Sequence, residues 1–538
     1  MGGSTHGLGG RDTRRRAAVL AALLLSGLST AAGIRFGVYS ANYADASGYV
    51  AAARSWATGD LVRPAPLQLW ASWPHAAETG APLGFRPGPI LGTNVPLYPA
   101  GLSWLMAAAE RVGGDYGPFV IAPALGGVLV FVTFLLGRRA GGSAAGLIGA
   151  ALVATSPIVL LHTVQPMSDV PATACWACAW YLGLRRGVGA ALAAGAIVAL
   201  AVAIRPNLAP LAIVPLALIL TGGELRVRRI RYWLGAAAFV AAAACGPMLV
   251  AWTQLALYGS PFHFGYPGAE SFFDAANVPA NARNYWNMWV DVYGLAPLLG
   301  LAARLLPAQR GGGCQPVSRA VVVSAWVIVA LNIGLYLAFI PYDHWPFLRF
   351  LLPASVAVFV LFGTALASLA SLMWSTPRTR IGVLLLALAV AATAVRRPDL
   401  ARYSLQEWRA HQVIPAMGKY LAETLPRNAV VLSFAHSGAI AHYSGADVVR
   451  LDIIEPATLD RIVEDLQKGG LEPVFVLDGF LERPRFADRF VDSKWRLLDW
   501  PARAVATSVS DITYWVVADR ARHLGGERWP VDHLRPGS

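Results

Sequence analysis

The chain has 538 residues, of which 56% are hydrophobic and only 14% are charged, and its mean hydropathy is +0.50. Soluble globular proteins carry roughly 25% charged residues, so this composition excludes a water-soluble body of this size, and its apolar content excludes intrinsic disorder. The net charge of +13 comes largely from arginines in short gaps between apolar runs. That pattern is typical of a membrane protein and not of a nucleic-acid-binding surface.

Eleven apolar runs are long enough to cross a hydrocarbon core of roughly 30 Å. They lie at 17–36, 118–137, 142–162, 169–184, 187–204, 206–222, 232–256, 292–306, 319–340, 349–372 and 381–397. The first run follows several arginines and could be a cleaved signal peptide, but its length and the runs after it favour a retained helix. The stretch 96–112 starts with prolines and ends in Glu110 and Arg111, which predicts a helix lying in the membrane interface.

The arginines predict how the chain is oriented, because cytoplasmic loops of membrane proteins are enriched in basic residues. They recur in every second gap, at Arg138/Arg139, Arg185/Arg186, Arg226/Arg228/Arg229/Arg231, Arg304/Arg310/Arg319 and Arg378/Arg380. These gaps are cytoplasmic if the N-terminus is cytoplasmic. Eleven spans then put the long loops 37–117 and 257–291 outside, together with the tail. We therefore predict a multi-pass protein of the cell inner (plasma) membrane.

The tail differs from the rest of the chain in composition. About 35 charged residues fall in 401–538, roughly 25% of that stretch, which is the norm for soluble domains. Helical patterns at 404–424 and 456–468 alternate with strand-like runs at 429–433, 473–478 and 514–518. The predicted fold class is an α-helical polytopic membrane protein with a C-terminal extracytoplasmic α/β domain. Its transmembrane module covers 1–397 and its α/β domain covers 398–538.

Two acidic residues on the predicted outer face are candidates for chemistry. Asp45 follows the first span within Tyr43–Tyr49, and its carboxylate could be a general base or could simply cap a helix. Asp169 precedes Pro171 and could likewise act in catalysis or cap the helix that this proline begins. Paired acids can divide the work of base and of donor or metal positioning, so we predict both as catalytic residues.

Cations are few on the predicted outer face. A guanidinium matches phosphate geometry, so the outer arginines are candidates to bind a lipid phosphate, although each could instead reach the interface or pair with an acid. The dense outer aromatic residues could form an interfacial belt or a platform for sugars. Two isolated histidines, His263 and His344, are further candidates. The predicted substrate-binding residues are therefore Tyr49, Arg86, Tyr98, Arg205, His263, His344 and Arg349.

Several common motifs are missing from the sequence. It contains no Walker A loop, no G-x-G-x-x-G after a strand and no H-E-x-x-H, so nothing indicates ATP-driven transport or soluble nucleotide chemistry. Cys175 and Cys178 form a C-x-x-C inside an apolar run, not at the βα junction of a thioredoxin-type site. No cofactor is predicted with certainty, although Asp45 and Asp169 could share a divalent cation.

A series of short motifs resembles the GT-C glycosyltransferase superfamily, most closely its bacterial protein O-mannosyltransferase and aminoarabinose-transferase branch. The motifs are the segments 43–49, 96–101, 167–171, 205–207, 258–261, 348–353 and 436–445. The resemblance covers nearly the whole chain. It implies a many-span bundle whose outward-facing site transfers a sugar from a polyprenyl-phosphate donor to an acceptor hydroxyl or similar group.

The resemblance also implies roles for residues. Asp45 matches the catalytic Asp of the family's first outer loop, and Asp169 matches a second acid at the outer end of a later span. Some relatives hold phosphate with a lysine near the interfacial helix, but this chain has no lysine before Lys419, so an arginine takes that role or the donor is held differently.

The implied partners are the polyprenyl-phosphate sugar donor, a lipid, glycan or protein acceptor, and membrane lipid, without nucleic acid. Two other functions stay open. One is a transporter or flippase for a lipid-linked saccharide, which would place polar residues in mid-span. The other is a non-catalytic protein of cell-envelope assembly, in which the acids would tolerate substitution.

Overall fold

The computed structural model describes residues 6–42, 44–221, 230–266, 272–305, 317–373 and 396–535. Contacts between residues divide the chain into two compact units. Unit 1 comprises Met1–Gly37, Val120–Val250 and Gly268–Leu405, and unit 2 comprises Val38–Phe119, Ala251–Pro267 and Gln406–Ser538. The division into a module at 1–397 and a domain at 398–538 stays a prediction.

Unit 1 is built from helices. Its α-helices are His6–Arg35, Ile121–Gly141, Ser143–Thr155, Pro157–Val164, Asp169–Gly183, Val188–Ile204, Ile213–Leu220, Ile230–Tyr258, Val278–Tyr293, Arg319–Leu337, Leu352–Met373 and Pro398–His411. The eighth and the last of these end in unit 2. Short 3₁₀ helices include Pro206–Ala212, Ala296–Leu305 and Trp345–Leu351. Small residues let helices approach closely, since a Cβ on Gly137 would lie 2.8 Å from the Cα of Gly146.

One break in unit 1 has a clear local cause. Ser156 Oγ accepts a hydrogen bond from the main-chain N–H of Val159, and Pro157 occupies the first turn of the new helix. A serine cap followed by proline is a strong signal for a helix start. The chain therefore bends by 59° between Ser143–Thr155 and Pro157–Val164.

Five of the described helices are long and apolar enough to cross a membrane, or six if the bent pair is one span. They are Arg15–Arg35, Ala100–Gly141, Tyr232–Tyr258, Arg319–Leu337 and Trp345–Ser371. The predicted number of eleven is not confirmed. The run predicted at 169–184 forms a helix of 15 residues, which spans only about 22 Å, and the run at 292–306 holds a 3₁₀ helix. The span predicted at 381–397 begins outside the described residues.

The predicted interfacial helix at 96–112 has a counterpart that is longer than expected. An α-helix covers Ala100–Gly113, and the helical stretch continues through the 3₁₀ helix Gly114–Val120 to Gly141. Pro99 precedes its first residue, which agrees with the proline-rich start of the pattern. Whether the first part lies in the interface stays a prediction.

Unit 2 contains two sheets and short helices. Strands β1 (Arg63–Pro64), β2 (Phe85–Pro87) and β3 (Thr93–Pro96) form a small antiparallel sheet in the order β1-β3-β2. The larger sheet has the order β5-β4-β6-β8-β7-β9, from β4 (Ala429–Ser433), β5 (Asp447–Arg450), β6 (Glu472–Asp478), β7 (Ala504–Thr507), β8 (Asp511–Val516) and β9 (Asp532–Leu534). Its α-helices are Ala44–Thr58, Leu67–Trp70, Ala76–Thr79, Ala100–Gly113, Val413–Thr424, Ser437–Ser444, Leu459–Lys468, Glu482–Arg489 and Asp519–Leu524.

The larger sheet is covered by apolar residues on both faces. Strand β4 runs parallel to β5 and β6, while β8 is antiparallel to β6. Successive side chains of a strand point to opposite faces. Accordingly Leu432 packs in one apolar cluster with Phe475, and Val431 packs in the other with Val474. The strands predicted at 429–433 and 473–478 correspond to β4 and β6.

Candidate active site

Asp169 lies at the centre of a charged cluster in unit 1. Its side chain is 2% exposed, and its Oδ1 accepts a hydrogen bond from Arg205 Nη1 at 2.5 Å. Arg349 Nη1 lies 3.8 Å from Oδ2 of the same carboxylate. Two guanidinium groups therefore face one buried carboxylate. Such an arrangement can attract a further anion, and guanidinium groups suit phosphate in particular.

Three helix boundaries bring these side chains together. Asp169 is the first residue of its helix, and Arg349 lies in the 3₁₀ helix Trp345–Leu351. Arg205 joins two helices in an extended conformation, with φ −141° and ψ 87°. The residue before a proline is disfavoured in the helical region, so Pro206 ends the preceding helix at this arginine.

Aromatic and imidazole groups surround the same carboxylate. The two guanidinium carbons lie 5.9 and 5.2 Å from the ring centroid of Phe350, within the range of cation–π contacts. His162 Nδ1 lies 4.0 Å from Asp169 Oδ2, and His162 Nε2 lies 3.3 Å from the carbonyl oxygen of Pro346. The sequence did not predict His162, and its only signal was an ionisable residue inside an apolar run.

An apolar pocket in unit 1 begins one helical turn beyond Asp169. Thr173 lines it and donates a hydrogen bond from Oγ1 to the main-chain oxygen of Asp169 at 2.8 Å. The other lining residues are Trp176, Ala177, Trp180, Leu211, Val214, Pro215, Ile328, Pro353 and Val356. A charged cluster therefore adjoins an apolar surface, as an amphipathic ligand requires.

Asp45 belongs to a second cluster, in unit 2. It lies in the first turn of the helix Ala44–Thr58 and is half-buried. Tyr98 OH donates a hydrogen bond to Asp45 Oδ1 at 2.8 Å. Burial, and then the neighbouring Asp45 carboxylate, raise the pKa of Tyr98 well above its usual value of 10. The phenol therefore stays protonated and remains a donor to the carboxylate at neutral pH.

Ring contacts fix the position of Tyr98. Its ring centroid lies 4.8 Å from that of Tyr49 and 5.8 Å from that of Tyr266. A Cβ on Gly48 would lie 2.3 Å from a ring carbon of Tyr98, so only glycine allows this approach. The tyrosine that contacts Asp45 is thereby held on several sides, and the predicted substrate residue Tyr49 is one of its neighbours.

Arg86 uses its side chain for contacts within unit 2. Its Nη1 donates to the main-chain oxygens of Phe264 and Gly265 at 2.8 and 3.1 Å, and its guanidinium carbon lies 5.0 Å from the ring centroid of Tyr258. These contacts anchor the segment that continues to Tyr266. A role for Arg86 in binding substrate stays a prediction, and its present contacts favour a role in holding this segment.

The two predicted histidines are exposed. His263 is exposed and follows the turn that begins at Ser260. His344 is 80% exposed, and its Nε2 lies 3.5 Å from an oxygen of Asp343, which is also exposed. Their roles in substrate binding stay predictions.

The predicted residues thus form two groups. One contains Asp169, Arg205 and Arg349 in unit 1, and the other is built around Asp45 in unit 2. That the two acids act in one site stays a prediction. In the part of the chain that the structure describes, no group of three or more His, Cys, Asp or Glu residues is arranged to bind a metal ion. Two guanidinium groups facing Asp169 disfavour a metal ion there.

The chain shares its fold with solved structures of GT-C glycosyltransferases. The structure of ArnT from Cupriavidus metallidurans bound to undecaprenyl phosphate matches with a TM-score of 0.54 at 12% identity, over 91% of this chain and 97% of that chain. The apo oligosaccharyltransferase of Archaeoglobus fulgidus matches with a TM-score of 0.53 at 12% identity, over 90% of this chain and 71% of that chain. At identities this low, the two matches establish a shared fold and nothing beyond it.

Two further comparisons bear on this similarity. The arabinofuranosyltransferase AftD from Mycobacteria matches with a TM-score of 0.51 at 14% identity, over 94% of this chain and 40% of that chain. The family model described as dolichyl-phosphate-mannose-protein mannosyltransferase matches residues 98–252, less than a third of the chain. The sequence has no significant match among curated proteins.

Proposed function

We propose that this protein is a membrane glycosyltransferase that moves a sugar from a polyprenyl-phosphate donor to an acceptor on the outer face of the membrane. The observation that carries the proposal is the pair of guanidinium groups of Arg205 and Arg349 around Asp169, next to an apolar pocket. The cations suit the phosphate of the donor, and the apolar side chains beside them suit contact with the start of its isoprenoid chain. The bound undecaprenyl phosphate in the ArnT structure, which shares the fold, supports this ligand class.

The reaction requires a base for the acceptor and a stabilised leaving group. Asp45 removes the proton from the acceptor hydroxyl as its oxygen attacks the anomeric carbon of the sugar. The bond from that carbon to the phosphate oxygen breaks, the electron pair stays on the phosphate, and the anomeric centre inverts. The guanidinium groups stabilise the charge that develops on the leaving phosphate.

Asp169 has a different task from Asp45 in this proposal. Its carboxylate is buried and faces two cations, so its contribution is to orient the guanidinium groups toward a phosphate. Asp45 is half-buried and accepts a hydrogen bond from a phenol, which orients its carboxylate for the acceptor proton. The inferred topology has a cytoplasmic N-terminus and puts the sheet of unit 2 outside.

The test compares Asp45→Asn with Asp60→Asn, which changes an exposed acid two residues beyond the same helix. Each protein is reconstituted with an envelope fraction as acceptor and with a panel of polyprenyl-phosphate monosaccharides, and the release of free polyprenyl phosphate is measured. We expect Asp45→Asn to lower kcat by about a hundredfold or more, because that is the usual contribution of a general base. Asp60→Asn keeps the wild-type rate.

The same experiment separates the other two functions. Asp45→Asn with full activity at equal expression would falsify the assignment of the base. A flippase would move the lipid-linked sugar across the bilayer without releasing polyprenyl phosphate. An assembly protein would do neither, and substitutions of both acids would leave its binding unchanged.

A further inference from the structure

We propose that the helix Ser437–Ser444 is a positioning element for Asp45. This inference rests on the proposed role of Asp45 as the base. The helix follows β4 in the larger sheet of unit 2. Its residues Ser437, Gly438 and Tyr443 contact segments near Asp45 and Tyr98.

Tyr443 makes the first contact. Its phenol oxygen accepts a hydrogen bond from the main-chain N–H of Ala41 at 2.9 Å, although the two residues are 402 positions apart. Ala41 is completely buried, so this N–H would lose its partner without the phenol. Three residues after Ala41 the helix with Asp45 begins, and its first turn is closed by the bond from Ser47 N–H to the carbonyl of Asn42 at 3.1 Å.

Ser437 and Gly438 make the second contact, at the other end of the helix. Ser437 Oγ accepts a hydrogen bond from the main-chain N–H of Leu83 at 3.3 Å. A Cβ on Gly438 would lie 2.1 Å from the carbonyl oxygen of Leu83 and 2.7 Å from Ser47 Oγ. The backbone at Gly438 therefore packs against both the Asp45 helix and the loop at Leu83, and only glycine fits there.

The loop at Leu83 also contacts the Asp45 helix and the segment that precedes Tyr98. Gly84 has φ +91°, and a Cβ there would lie 2.4 Å from the Cα of Gly48 on the Asp45 helix. The carbonyl of Gly84 accepts a hydrogen bond from the N–H of Leu97 at 3.0 Å. Leu97 directly precedes Tyr98, whose phenol donates to Asp45. The contacts thus lead from the helix to both members of the pair.

The helix itself is fixed to the sheet. Ala439 and Ile440 are buried in the same apolar cluster as Val431 of β4 and Val448 of β5. A Cβ on Gly418 would lie 2.4 Å from the Cβ of Tyr443, so a second helix also packs closely against this tyrosine. A rigid sheet therefore sets where Tyr443 and Ser437 hold the segments around Asp45.

The decisive experiment removes only the acceptor oxygen, with Tyr443→Phe. We expect kcat to fall about tenfold while KM for the donor stays within about twofold, because a displaced base slows the chemical step without weakening donor binding. Peptides that contain Ala41 and Asn42 should exchange their amide hydrogens faster, and peptides from Val413–Thr424 should not. Tyr420→Phe is the matched control, since Tyr420 OH bonds Asp532 Oδ2 at 2.6 Å elsewhere in unit 2.

A double-mutant cycle separates positioning from general stability. If Tyr443 acts through the Tyr98–Asp45 contact, Tyr443→Phe lowers kcat little further in a Tyr98→Phe background. Gly438→Ala should lower kcat more than Tyr443→Phe does, whereas Gly525→Ala, whose Cβ would meet its nearest atom at 3.4 Å, should have no effect.

Each outcome decides the inference. Faster exchange at Ala41 with a non-additive loss of kcat supports it. Wild-type kcat in Tyr443→Phe, additive losses in the cycle, or unchanged exchange at Ala41 overturns it. A wild-type protein that releases no polyprenyl phosphate contradicts the proposed function instead, and the exchange measurement then still decides whether the helix restrains this segment.

Discussion

Asp169 Oδ1 accepts a hydrogen bond from Arg205 at 2.5 Å, and the other oxygen of the same carboxylate lies 3.8 Å from Arg349. One buried acid thus faces two cations that come from separate parts of the chain. Neither guanidinium is more than 16% exposed, so little water competes for these contacts. The stability of this cluster and the phosphate affinity proposed for it therefore depend on the same carboxylate.

The first prediction concerns the stability contributed by Asp169. Asp169→Asn removes the buried carboxylate that both guanidinium groups face, and breaking such a cluster costs about 3 kcal/mol. We expect the Tm in detergent to fall by several degrees, measured by thermal unfolding. Asp291→Asn is the control, because Asp291 pairs with Arg397 at the surface and its side chain is 52% exposed. Equal Tm values for the wild type and Asp169→Asn would contradict the assigned role.

The second prediction concerns the binding of the lipid phosphate. Arg349→Lys keeps the charge but removes the planar fork, so we expect the affinity for undecaprenyl phosphate to fall about tenfold. Binding is measured on the purified protein in detergent by native mass spectrometry. Arg402→Lys changes an exposed arginine of unit 1 and should bind as the wild type does. Unchanged affinity in Arg349→Lys would remove this arginine from the site.

The charged cluster was largely predictable because ionisable residues are rare in an apolar chain. Each of Asp169, Arg205 and Arg349 lies at the end of an apolar run, and few other charged residues occur near these positions. His162 was missed because a single histidine in Pro157–Val164 looks like part of an ordinary core. The contact from Tyr443 to Ala41 has no local signal at all, since it exists only once the sheet has formed.

Element types were easier to predict than their lengths and pairings. The runs at 429–433 and 473–478 are rich in β-branched residues, and both form strands. β5 and β7 have only four residues each, too few for a periodic pattern, and were not predicted. The predicted number of spans is not confirmed, since hydropathy measures how apolar a run is, whereas Pro206 and Pro157 decide where helices begin and end.

The third prediction concerns the hydrogen bond from Tyr98 to Asp45. Tyr98→Phe keeps the ring contacts but removes the donor, so the carboxylate can adopt other rotamers. We expect kcat to fall about tenfold, which corresponds to roughly 1.4 kcal/mol and is typical of one hydrogen bond to a charged group. Tyr116→Phe is the control, since Tyr116 is 69% exposed. Full activity in Tyr98→Phe would show that this bond does not orient the base.

A buried group in unit 2 makes stability depend on pH. His436 Nε2 lies 3.6 Å from Asp478 Oδ2, and the Glu482 carboxylate accepts the main-chain N–H groups of His436 and Asp478 at 3.3 and 2.9 Å. Burial by itself lowers the pKa of His436, but the carboxylates of Glu482 and Asp478 outweigh it and hold this pKa above 6.5. The folded protein therefore binds the proton more tightly than the unfolded chain does.

The fourth prediction follows from the sign of that shift. The stabilisation by protonated His436 is fully present below the unfolded pKa of about 6.5 and is lost as pH rises through the raised pKa. We expect Tm to fall between about pH 6 and pH 8 more steeply in the wild type than in His436→Gln. Burial lowers the pKa of His442 to about 4, which acts in the opposite sense, but this effect is common to both proteins and cancels in the comparison. Parallel Tm curves for the two proteins over this range would show that His436 binds its proton no more tightly in the folded state.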